Sequence, residues 1–71
     1  MTAELIHAGI RLVDEAHASW SMAALQCAEA LRSWLDAGAS DRGAANVAYR
    51  AALDREEAAA RDLERLAALV S

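Results

Sequence analysis

The sequence predicts an all-α protein: an antiparallel two-helix hairpin that assembles into a four-helix bundle or docks on a partner. Three observations predict it. First, Ile6, Val13, Trp20, Cys27 and Trp34 recur every seventh residue, and Gly9, Ala16, Ala23, Ala30 and Ala37 follow each by three. Residues seven apart lie on one stripe of a helix, and small residues let a second helix approach closely, so this pattern is a packing seam. Second, the interior holds one loop signal, Asp36-Ala37-Gly38-Ala39-Ser40, and the chain has no proline. Third, 20 of the 71 residues are alanine, the strongest helix former.

The whole chain, 1–71, reads as a single hairpin, with a first helix over about 3–37, a turn over about 38–41 and a second helix over about 42–70. Thr2 is placed to cap the first helix, and Glu4 suits the positive end of its dipole. Gly38 is the natural stop, since glycine readily takes the left-handed conformation that closes a helix. Ser40 or Asp41 then caps the second helix. That helix has its own inward stripe, which includes Tyr49, Ala52, Leu53, Glu56, Leu63, Leu66 and Val70 and is mostly alanine before Leu63. A loop of about four residues makes the helices antiparallel, in a hairpin roughly 45–50 Å long.

A chain this small holds one domain whose core rarely supplies more than ~3–5 kcal/mol. The single cysteine, Cys27, cannot form an internal disulfide and lies on the seam, where it reads as a small hydrophobe. The first helix also carries Leu5, Ile10, Leu12, Met22, Leu25, Leu31 and Leu35, which spread around its cylinder. One partner helix cannot cover them all, and an uncovered apolar surface on a small protein marks an interface.

The net charge of −4 and the interleaving of arginines with acids exclude the basic face that a nucleic-acid binder needs. Arg11 with Glu15, Arg32 with Asp36, Arg50 with Asp54 and Glu57 with Arg61 are spaced as i,i+4 pairs on solvated faces. The longest uncharged run, 16–28, contains His17, Ser19, Ser21 and Gln26 and is too short and too polar to span a bilayer. No basic patch followed by an apolar run opens the chain, so no secretory signal peptide is expected and the expected location is cytoplasmic.

Candidate chemistry is sparse. Glu4 with His7 and Asp14 with His17 share an acid-x-x-His spacing, and di-metal carboxylate bundles use such pairs on facing helices. A homodimer could supply Asp14, His17 and Glu56 twice, giving a ferritin-like alternative. With the turn centred near residue 39, His17 lies level with about Arg61 and Glu56 with about Met22. The mismatch is about 7 Å along the axis. No metal or cofactor is therefore expected. The serines have no base at a readable spacing, and glycine-rich phosphate loops and Cys-x-x-Cys are absent, so the chain is read as a non-enzyme.

The segment Gly43-Ala-Ala-Asn-Val-Ala-Tyr49, continuing through Ala58-Ala-Ala-Arg-Asp-Leu63-Glu-Arg-Leu66, resembles the second helix of WXG100 (ESAT-6-like) proteins. In that family a glycine opening helix two is followed six residues on by an aromatic, then by an alanine-rich amphipathic helix with a leucine matching Leu63. The family's Trp-x-Gly turn would fall on Asp41-Arg42-Gly43, where the tryptophan is absent. The resemblance implies hairpins that pair into four-helix bundles. As a further alternative it implies an effector secreted by a type VII system.

The leading expectation is a non-catalytic helical interaction module or small accessory subunit. Its partner is a protein, either a second copy or a larger chain, and involves neither nucleic acid nor membrane. The expected contact residues are Ile6, Val13, Trp20, Cys27, Trp34, Tyr49, Leu63, Leu66 and Val70.

Overall fold

A computed structural model of the chain describes residues 3–70. It consists of two helices, α1 (Ala3–Asp36) and α2 (Arg42–Val70), packed against each other. The rod measures 59 × 13 × 12 Å. Alanine-rich, proline-free segments form the helices, and their inward stripes hold them together. The proposed Thr2 cap lies outside the described residues.

The turn departs from its sequence reading. Gly38 does not adopt a left-handed conformation, and no glycine among the described residues has a positive φ. Instead α1 closes one residue early, where the Ala37 N–H donates to the Trp34 carbonyl at 3.2 Å, a tightened i→i+3 last turn. The Asp41 N–H then donates to the Gly38 carbonyl at 3.0 Å, and the Ala45 N–H donates to the Asp41 carbonyl at 3.0 Å. The second of these is the first helical bond of α2, so Asp41 rather than Ser40 holds the N-cap position.

The helices meet along the seam. Gly9, Ala16, Ala23, Ala30 and Ala37 are all buried or half-buried, as are Val13, Trp20, Cys27 and Trp34. Near the turn Trp34 stacks on Tyr49 with ring centroids 5.5 Å apart and planes inclined by 26°. Beyond its area burial, such a pair stabilises the contact by about 0.5–1.5 kcal/mol. At the open end Gly9 lies so close to Val70 that a β-carbon on it would come within 2.7 Å of Val70 Cγ1. A small residue is therefore required where α2 ends against α1. Ile6 is the exception on the seam, being 55% exposed. It lies nearly a turn beyond Gly9, past the end of α2, so no helix covers it.

The core is thin. Only Ala23, Cys27 and Ala52 are buried among the described residues, and no large side chain is fully enclosed. Alanine contributes little area per residue, so alanine facing alanine brings the backbones close without sequestering much apolar surface. No helix of the described residues is long and apolar enough to cross a membrane. Of the four expected i,i+4 ion pairs, the described residues form Glu57–Arg61, at 3.8 Å on an exposed face. Arg65 pairs with Asp62 one turn away. Exposed pairs of this kind contribute little, from zero to about 1 kcal/mol.

Candidate interaction surface

The residues expected to make contacts divide into two groups. Val13, Trp20, Cys27, Trp34, Tyr49, Leu63 and Leu66 are half-buried or buried along the line where α1 meets α2. All but Cys27 are only half-buried there. Ile6 and Val70 are 55% and 49% exposed at the open end, where Val70 also packs on Gly9.

Around that end Leu5, Ile6 and Ile10 of α1 and Leu69 and Val70 of α2 line an apolar groove of about 300 Å³. It forms because α1 extends past Val70, leaving large side chains from both helices without a third element above them. Further exposed apolar residues are Leu12, Met22, Leu25 and Leu35 on α1 and Val47 on α2. Leu31 is half-buried, so the hairpin itself covers one of the surplus leucines. Leu69 and Val47 were missed in the sequence reading. Neither falls on the heptad seam, and only a helical wheel of α2 drawn with its inward face known would have placed them outward.

The titratable groups sit differently from their sequence reading. Glu56 is half-buried and faces Cys27, five residues along α1 from the position expected. The reason lies at the turn. Gly38 to Ala44 are all exposed, so the interface begins only at Ala37 and Ala45, after the first turn of α2. The facing pairs Trp34–Tyr49 and Cys27–Glu56 share this offset, whereas at the open end Gly9 meets Val70, within one residue of the register counted from the turn. Burial first, then hydrogen bonding to the Glu56 carboxylate and its negative charge, push the Cys27 thiol pKa up. The thiol is thereby held protonated and poorly nucleophilic.

The same offset takes the suggested metal ligands further apart. His17 is exposed and sits edge-on against Trp20, with centroids 5.8 Å apart and an interplanar angle of 61°. It is level with residues 62–66 of α2, about 10–15 Å along the axis from Glu56. Asp14 is exposed. Among the described residues no three histidine, cysteine or carboxylate groups are grouped as a metal ion requires.

A second cleft of about 360 Å³ lies between the helices and is lined by Glu15, Ala16, Ser19, Ala59, Asp62, Arg65 and Leu66. Arg65 is engaged by Asp62 there.

No family model, curated protein or solved structure matches this chain.

Proposed function

We propose that this chain is a non-catalytic helical interaction module that works by helix–helix assembly, either with a second copy or as a small accessory subunit on a larger protein. One observation carries the reading. A chain in which 56% of residues are hydrophobic encloses, among its described residues, only Ala23, Cys27 and Ala52, and leaves ten large apolar side chains there about half exposed or more. Monomeric soluble proteins rarely expose apolar surface on that scale without a partner for it. The thinness of the core points the same way, since a domain of this size has few kcal/mol of its own and association supplies the rest.

The test is the native mass of the purified protein by light scattering after size exclusion, with circular dichroism on the same peak. A helical dimer or larger species supports assembly with itself. A molten monomer that becomes helical only on binding another protein supports the accessory-subunit form. A helical monomer at micromolar concentration with sharp, cooperative and concentration-independent unfolding overturns the proposal.

A further inference from the structure

Part of the surface of α1 that α2 leaves uncovered forms a single line, half-buried at Ser21 and exposed at its other positions. Ile6, Ile10, His17, Ser21, Ala28 and Leu35 follow one another at intervals of four or seven residues, the spacing of one helical stripe. This stripe lies about a quarter turn from the seam and carries no carboxylate or guanidinium over its whole length. Leu35 is 73% exposed, and Ile6 and Ile10 are about half exposed. We infer that the stripe is covered by the same stripe of a second copy, run antiparallel, so that two hairpins close into a four-helix bundle. The inference rests on the reading of the chain as an assembly module and deepens it by naming the partner and the face.

Three observations support a second copy. The first is self-complementarity, which a two-fold contact requires. About an axis near residues 20 and 21, Ile6 meets the partner's Leu35 and Ile10 meets the partner's Leu31. Between these large pairs lie His17 and the small residues Ser21, Ala24 and Ala28, which set His17 against the partner's Ala24 and leave room for close approach where the helices cross. Because the stripe and the seam are a quarter turn apart, α2 and the partner copy take adjacent corners of a square bundle.

The second observation is charge. Asp14 and Arg32 flank the stripe on the side away from α2. Antiparallel pairing places Asp14 about 7–8 Å along the axis from the partner's Arg32. Helix side chains lean toward their own N-terminus, which brings these two toward each other. Symmetry repeats the pair. A parallel arrangement would instead set Asp14 against the partner's Asp14.

The third is area. The chain exposes 5365 Å². A compact monomer of this mass would expose about 4,300 Å². The surplus, about 1,100 Å², is enough for the ~800 Å² that each partner contributes to a standard stable interface.

The experiment uses the full chain, wild type and three single variants: Ser21→Cys at the proposed axis, Ala58→Cys on the exposed outer side of α2 as control, and Leu35→Glu on the stripe. The inference expects a native mass twice the 7.6 kDa of the chain. Under mild oxidation with copper phenanthroline, Ser21→Cys should form a covalent dimer about tenfold faster than Ala58→Cys, because a disulfide needs its α-carbons within about 7 Å. Leu35→Glu should stay helical at high concentration and raise the dissociation constant about 30-fold or more, since it sets an unpaired charge in an apolar contact. A dimer in which the two cysteine variants cross-link equally, or which Leu35→Glu leaves intact, overturns the stripe and leaves the assembly reading standing. A molten monomer also overturns the second copy and shifts the assembly reading to a larger partner. A stable helical monomer overturns both.

Discussion

Two stripes run side by side along α1, and the hairpin covers only one of them. The seam alternates a large residue with a small one every three or four positions. Its small residues, from Gly9 to Ala37, all lie against α2. The neighbouring stripe has large residues at its ends, Ile6 and Ile10 at one and Leu35 at the other, with His17 and small residues between. Both are apolar and both have helical spacing. What separates them is the partner: α2 meets the seam with Tyr49, Ala52, Leu63 and Leu66, whereas Leu35 is left 73% exposed. Apolar periodicity marks a surface that can be buried, and topology decides which of two such surfaces is covered within the chain.

The largest expected effect comes from breaking the seam. Trp34→Ala removes the stack on Tyr49 and should cost about 2–4 kcal/mol, most of what a core this size provides. Chemical denaturation followed by circular dichroism would show it as a much lower midpoint. A loss under about 1 kcal/mol would mean that the stack is incidental. Ile10→Glu, on the open stripe, should act oppositely: the hairpin keeps its helicity while the native mass falls to that of one chain. Equal losses of helicity from both substitutions would erase the contrast between the stripes.

A smaller effect tests the middle of the seam. The raised Cys27 pKa means that the unfolded thiol ionises at lower pH than the folded one. Stability is therefore fully present below the ordinary thiol pKa and declines as pH rises from there through the folded pKa. Glu56→Gln removes the carboxylate charge, so Cys27 should react faster with iodoacetamide at mildly alkaline pH. Burial, the larger cause, persists, so the gain should be partial. An unchanged rate would show that Glu56 does not act on the thiol.

The smallest effect lies at the turn, outside both stripes. Gly38 has neither a positive φ nor any atom within 4 Å of where a β-carbon would stand. Gly38→Ala should stabilise the hairpin by about 0.4–1 kcal/mol by restricting the unfolded chain. A thermal melt showing destabilisation would mean that the turn uses the freedom of glycine after all.

Much of the fold was legible because helix formation is local. The heptads of α1, the proline-free alanine-rich segments and the break at residues 36–40 are enough to give two helices with bounds close to those observed. The stop at Gly38 was misread. A tightened last turn closes α1 as well as a left-handed glycine does, and residue identity does not distinguish the two. The facing of Glu56 and Cys27 was misplaced by five residues for a geometric reason. Counting outward from the turn assumes that pairing starts at once, whereas residues 38–44 are all exposed and the interface begins at Ala37 and Ala45.

The sequence by itself determined that the chain is helical, that it turns once, and that Val13, Trp20, Cys27 and Trp34 face a neighbouring helix. These follow from propensity and from periods of 3.5 to 3.6 residues, which act over a few positions. Only the tertiary structure decided the offset between the helices, the facing of Cys27 and Glu56, and which apolar stripe of α1 stays open. Those depend on where the path of α2 lies. That path is set by where the interface begins after the turn and by how closely Gly9, Ala23 and Ala52 let two backbones approach.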